Sequence, residues 1–220
     1  MYVLVIGLSG IGEIFARILV NRGHKVAVLD KDEEKCKKFA AEVDALVIHG
    51  DTEDKENLKN AGAAQAHAVV AATGDDSLNL MICTMAKEFG VRTLVAIVRD
   101  PEHMELFKKV GPNVIAVSPD LTVAEHLYRT LQHPTISDSL VIGDNKAEVF
   151  NIVVSPASEA SNKKIRELYL PIDCNVLAIL RKGKLIIPTR DTTIQPGDGV
   201  TVLARCENVK QIADVFTRKF

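Results

Sequence analysis

No stretch of this 220-residue sequence approaches the ~18 consecutive apolar residues that a bilayer crossing requires. The apolar start, Met1 to Ile6, has no basic segment before it and meets Gly7 almost at once, which reads as a buried strand rather than a secretory signal. Cysteine is sparse. Cys36, Cys83, Cys174 and Cys206 lie far apart, with no C-x-x-C pair, so a disulfide scaffold and a zinc site are both unsupported. There is no excess of positive charge either. Lys and Arg number 27 against 29 Asp and Glu, a net charge of −2, so nucleic acid and an anionic membrane face are poor principal partners. What remains is ordinary globular composition, 47% apolar and 25% charged, and a chain expected to be soluble and cytoplasmic.

Two textures alternate over the first 135 residues. β-Branched runs at Val3–Ile6, Val26–Leu29, Ala45–Ile48, Ala68–Ala72, Thr93–Val98 and Val114–Val117 are separated by charged stretches of helical period. Runs apolar on both faces suit parallel strands covered by helices on each side. The expected fold class is therefore α/β, a Rossmann-like doubly wound parallel sheet. In the first helix Ile11, Ile14, Phe15, Ile18 and Leu19 form the expected apolar stripe. Asp120 is the expected N-cap of a later helix carrying Leu121, Ala124, Leu127, Tyr128 and Leu131, whose stripe would pack on another subunit.

The alternation stops near Gln132–Thr135, and from about Glu148 the pattern is strand-rich: Val149–Ser155, Val176–Arg181, Leu185–Ile187 and Val200–Ala204. Lys182-Gly183 and Gln195-Pro196-Gly197-Asp198 read as turns. Helices are expected at Asn162–Tyr169, capped by Ser161, and at Glu207–Phe216. Net charge changes from −4 over residues 1–135 to +2 over residues 136–220. Two domains are expected, 1–135 and 136–220, the second a small α+β unit.

Gly7-Leu8-Ser9-Gly10-Ile11-Gly12 joins the first strand to the first helix, the context of a dinucleotide fingerprint. Gly7 would permit the tight turn and Gly12 the close packing of helix on sheet. Amide groups at the helix start would face phosphate. Asp30 ends the second strand 18 residues beyond Gly12, where a carboxylate accepts from ribose hydroxyls and repels a 2′-phosphate. The middle glycine of the fingerprint is replaced by Ser9, whose hydroxyl could itself donate to phosphate. Asp51, Thr73 and Arg99 fall at or after the ends of later strands, the edge where open α/β sheets bind ligands.

No acid–base group is recognisable. Tyr2, Tyr128 and Tyr169 lack a lysine four residues on, and no histidine has an evident partner nearby in sequence. Cys83 reads as core, the mixed charges of 31–38 as a solvated helix face, and Glu53, Asp54 and Glu56 as the complement of a helix N-terminus. An NAD-dependent oxidoreductase stands as the alternative to a binding protein.

With those residues in hand, the whole chain resembles the TrkA/KtrA family of potassium-uptake regulators, built from an RCK-type TrkA-N domain and a TrkA-C domain. The resemblance runs through "MYVLVIGLSGIGEIFARILVNRGHKVAVLDKD", "ALVIHGDTED", "VVAATGDDSLNLMICTMAKEFG" and "AIVRDPEH". In the second part it continues in "NKKIRELYLPIDCNVLAILRKGKLIIPTRDTTIQPGDGVTVLA". The spacing Thr73-x-x-Asp76-x-x-Asn79 and the arginine after strand five are its more specific marks.

The resemblance implies a nucleotide ligand, NAD(H) or ATP/ADP, held by Gly7, Ser9, Gly10, Ile11, Gly12, Asp30, Lys31, Asp51, Thr52, Thr73 and Arg99. Asp30 would hold the ribose, Asp51 would lie near adenine, and Arg99 would approach phosphate. It also implies dimers, an octameric ring, and a membrane-embedded potassium channel or transporter subunit as partner at the inner face of the cell membrane. No catalytic residue and no metal are implied.

Overall fold

Six of the apolar runs pair in parallel, in the order β3-β2-β1-β4-β5-β6. The strands are β1 (Tyr2–Ile6), β2 (Lys25–Asp30), β3 (Leu46–His49), β4 (Ala68–Ala71), β5 (Thr93–Ile97) and β6 (Val114–Val117). The computed structural model describes residues 1–143 and 146–218 and divides into two units, Met1–Ala124 and Glu125–Phe220. β1 is central, with Val5 opposite Val28 of β2 and Val70 of β4. Successive side chains leave a strand on opposite faces, so Leu4 and Ile6 join Leu29, Val69, Ile82, Leu94 and Phe107 on one side. Val3 and Val5 join Leu19, Val28 and Phe39 on the other. Each such fully buried aliphatic side chain contributes about 1.5–3 kcal/mol.

Local chemistry starts the helices. Asp32, Asp54 and Asp75 accept amide hydrogens at the heads of α2 (Glu33–Glu42), α3 (Lys55–Asn60) and α4 (Asp76–Glu88), each satisfying a donor that the helix leaves unpaired. α1 (Ile11–Asn21) departs from the expected stripe. Its buried residues are Gly12, Ala16 and Leu19, while Ile11, Ile14 and Ile18 are 42%, 60% and 43% exposed. The cause is the close approach of helix and sheet at the start of α1, which admits only small residues there: a Cβ on Gly12 would sit 2.0 Å from the Gly7 carbonyl oxygen.

After α5 (Met104–Val110) and β6 comes α6 (Pro119–Gln132). It begins two residues earlier than expected, so Asp120 is inside the first turn and is not the cap. Proline suits the first helical position because it has no amide hydrogen to leave unpaired. Buried Ser118 takes the capping position, with its hydroxyl 3.5 Å from the Leu121 amide. No residue of α6 is buried.

In the second unit an antiparallel sheet runs in the order β10-β9-β11-β8-β7, from β7 (Ile136–Ile142), β8 (Ala147–Val153), β9 (Cys174–Arg181), β10 (Lys184–Ile186) and β11 (Gly199–Arg205). α7 (Val209–Thr217) closes a core containing Phe150, Ile152, Val200, Val202, Ile212 and Phe216. Lys182 and Gly183 both have positive φ, 49° and 78°, as a two-residue hairpin turn requires.

Strand β7 was not among the expected elements. The helix expected over Asn162–Tyr169 shrinks to one 3₁₀ turn, Ile165–Glu167, and Ser161 caps nothing. Here the amides of Asn162, Ile165 and Arg166 donate to the carbonyls of Ile194, Thr192 and Arg190, and bonds spent across the chain cannot form a helical ladder.

Candidate nucleotide-binding site

The turn after β1 is shaped by contact. Gly7 has φ 102°, and a Cβ there would lie 2.4 Å from the Ala72 carbonyl oxygen. Gly10, with φ 53°, has open space around it. Ser9 replaces the fingerprint's middle glycine without obstruction, its hydroxyl 3.5 Å from the Thr73 carbonyl oxygen. Gly7 donates to the Leu29 carbonyl and Leu8 to the Asp30 carboxylate. The amides of Ser9, Gly10 and Ile11 donate to no protein acceptor among the described residues. Three free amides at the start of an eleven-residue helix are donors of the kind that can bind an anion.

Asp30 is 7% exposed. One carboxylate oxygen accepts the Leu8 amide at 2.5 Å and the other the Asp32 amide at 2.8 Å. It therefore fixes the glycine-rich turn against the end of β2, with a second lone pair on each oxygen left for a ligand. Asp32 accepts the Glu34 and Lys35 amides, both at 3.1 Å. The Lys35 amide, helped by that lysine's charge, holds the Asp32 carboxyl below the usual carboxylate range.

A cleft of about 420 Å³ opens over the carboxyl ends of the strands, lined by Gly7, Ser9, Asp30, Lys31, Asp32, Lys35, Thr52, Glu53, Thr73, Asp75, Ser77, Leu78 and Met81. It spans the point where strand order reverses between β1 and β4, which is where doubly wound sheets take ligands. A second cleft, of about 350 Å³, lies toward β4–β6 and is lined by Ser9, Gly10, Ile11, Ala72, Gly74, Ile97, Arg99, Pro119 and Asp120. Ser9 borders both.

Of the residues singled out from sequence, Gly7, Ser9, Asp30, Lys31, Thr52 and Thr73 meet in the larger cleft. Gly10, Ile11 and Arg99 join Ser9 in the smaller. Gly12 lines neither and acts through its packing on Gly7. Asp51 also lines neither: its carboxylate accepts the Glu53 amide at 2.9 Å, and its carbonyl takes the Asn57 side-chain amide.

Sequence reasoning passed over Lys35, Asp75, Leu78 and Met81 as lining residues, and Asn79 as the residue that fixes Thr73. Asn79 is fully buried. Its Oδ1 accepts both the Thr73 amide at 3.0 Å and the Thr73 hydroxyl at 2.8 Å, while its Nδ2 donates to the Ile97 carbonyl. The pattern Thr73-x-x-Asp76-x-x-Asn79 marked both residues without showing that they touch.

Residues 3–119 match the TrkA-N domain family and residues 149–217 the TrkA-C domain family. A Trk system potassium uptake protein TrkA homolog from Methanothermobacter thermautotrophicus is 34% identical over 217 residues, covering 99% of this chain and all of that protein. One from Pyrococcus abyssi is 31% identical, covering the whole chain and 99% of that protein. Among solved structures, the GsuK channel bound to NAD superposes on the full chain with a TM-score of 0.66 at 19% identity. This chain spans 40% of that channel's length, and the likeness speaks for the fold. Below Gly7 and Asp30 and beyond the cleft they frame, the match extends through both units: the chain belongs to the TrkA family, with a TrkA-N domain followed by a TrkA-C domain.

Proposed function

We propose that this protein is a non-enzymatic, nucleotide-sensing regulatory subunit of a Trk/Ktr-type potassium transport system. It would be cytoplasmic and held at the membrane's inner face by a pore-forming partner. The observation that carries the reading is the meeting, in one 420 Å³ cleft, of Gly7 and Ser9 of the glycine-rich turn with the Asp30 carboxylate. Gly10 and Ile11, whose amides donate to no acceptor among the described residues, line the smaller cleft that Ser9 also borders. Adenosine would occupy the larger cleft, with its ribose on Asp30 and its phosphates at the amides of Ser9, Gly10 and Ile11. A dinucleotide would continue into the smaller cleft beside Arg99, and ATP or ADP would end there. The names of the full-length relatives supply the transport context.

Regulation follows from differential affinity, since a ligand shifts a conformational equilibrium only as far as it prefers one state. The second state requires other subunits. α6 favours self-association, into dimers and then a ring, because an apolar stripe with Val123, Leu127, Tyr128 and Leu131 exposed at 57%, 57%, 61% and 81% has no stabilising contact of its own. A domain boundary at 135/136 belongs to this reading, supported by the end of α6 at Gln132 and the start of β7 at Ile136.

Mass spectrometry of nucleotide released from protein purified without added ligand tests the reading. An adenine nucleotide, recovered chemically unchanged, is expected. Turnover of NADH or ATP by the pure protein would contradict a non-enzymatic role.

A further inference from the structure

A cluster outside the two clefts adjoins one of their walls. The Asp76 side chain is only 11% exposed. Its Oδ1 accepts the Arg99 amide at 2.8 Å, and its Oδ2 accepts the Asp100 amide at 3.0 Å and His103 Nδ1 at 2.9 Å. One carboxylate in the first turn of α4 thus holds the segment that follows β5. Arg99 lies in that segment, with its guanidinium against Gly74, so near that a Cβ on that glycine would stand 3.5 Å from it. His103 is half-exposed, has Asp100 within 4.0 Å on its other nitrogen, and also feels Glu102.

We infer that Asp76 is the positioning residue for Arg99 and that His103, by gaining or losing its proton, sets how firmly Arg99 is held at the mouth of the smaller cleft. Charge-assisted hydrogen bonds are stronger than neutral ones, so the charged imidazole tightens the Asp76 node. The hydrogen bond to Asp76, with the charges of Asp100, Asp76 and Glu102, outweighs desolvation and raises the His103 pKa above the ordinary histidine value. Such a group adds its stabilising effect at low pH and loses it as pH rises through the raised value. Phosphate-bearing ligands therefore bind more weakly on the alkaline side of the histidine range. The affinity part of this inference rests on the nucleotide-binding reading; the positioning part does not.

Two measurements test it. In the ligand-free wild-type protein, the Arg99 and Asp100 amide resonances are expected to titrate together with the His103 ring. In His103→Asn, whose side-chain amide can donate in place of Nδ1 but cannot titrate, they stay still. In calorimetry with NAD⁺, whose diphosphate keeps its charge throughout, the wild-type Kd is expected to rise about three- to tenfold from about pH 6 to about pH 8.5, the size of coupling carried by a hydrogen-bond network. His103→Asn would show a flat profile. Amide resonances indifferent to the His103 titration, or a variant that keeps the wild-type pH slope, would overturn the inference. Failure of the wild-type protein to bind NAD⁺ or ADP would instead remove the nucleotide reading, and the amide titration would still decide whether His103 governs Arg99.

Discussion

The Leu8 amide donates to the Asp30 carboxylate across 22 positions of sequence, at 2.5 Å and away from solvent. The residue expected to hold a ribose is thus also the residue that fastens the glycine-rich turn. Both oxygens accept backbone amides, so Asp30→Asn would turn its NH₂ group toward one amide donor. The expected result is a loss of about 1–3 kcal/mol of stability in urea denaturation, together with weaker nucleotide binding. A variant of unchanged stability would contradict the fastening role, and unchanged affinity would remove Asp30 from the site.

The glycines of the turn are unequal. Alanine at Gly12 would place a methyl group 2.0 Å from the Gly7 carbonyl oxygen, whereas Gly10 has nothing within 4 Å. Gly12→Ala is therefore expected to cost at least ~3 kcal/mol, since backbone must move to admit it. Gly10→Ala is expected to cost ~1–3 kcal/mol, the strain of a side chain at φ 53° and ψ −105°. Denaturant melts of the two variants check this order.

Much of the first unit was legible because a buried parallel strand writes itself as an uninterrupted β-branched run. Val3–Ile6 and Val26–Leu29 are such runs, and their alternation with helical stretches pointed to a doubly wound sheet. The second unit was harder to read. In β7, Ser137, Asp138 and Ser139 leave only the short apolar run Leu140–Ile142, as suits an edge strand paired, among the described residues, with β8 alone. Residues 162–169 have helical composition, but their amides bond to residues 190–194, a partnership no local pattern reveals. At the site, the strand ends located Asp30, Thr73 and Arg99. The second attachments of these residues, to Leu8, Asn79 and Asp76, depend on distances that spacing does not encode.

Acid should destabilise the second unit through Asp198. It is 1% exposed and pairs both carboxylate oxygens with Arg181 at 2.8 Å while accepting the Gln195 amide at 2.8 Å. Burial acts to raise the Asp198 pKa, but the bonds from Arg181 and Gln195 and the guanidinium charge outweigh it and leave it lowered. The pair therefore stabilises above the unfolded-state value of ~4 and loses its effect as pH falls through the lower folded-state value. Asp198→Asn is expected to cost about 2–3 kcal/mol near neutrality, below the usual figure for a buried pair because Arg181 reaches solvent. It should also flatten the pH dependence of melting below ~pH 4. An unchanged acid limb would contradict this.

Thiol chemistry should report folding. Burial pushes Cys83 up to about 12 and Cys174 up to about 11, and the thiolate is the reactive form. Cys83 is also fully buried. In the native protein at mildly alkaline pH, a disulfide reagent is expected to leave Cys83 unmodified, and in denaturant all four cysteines should react. Prompt native labelling of Cys83, located by peptide mapping, would contradict the packing of α4.

The central claim is that the cleft framed by Gly7, Ser9 and Asp30 binds an adenine nucleotide, and calorimetric titration of the purified protein with ATP, ADP, NAD⁺ and NADH tests it most directly. Saturable binding of at least one is expected, weakened by Asp30→Asn. No heat from any of the four, with the protein folded, would contradict the account.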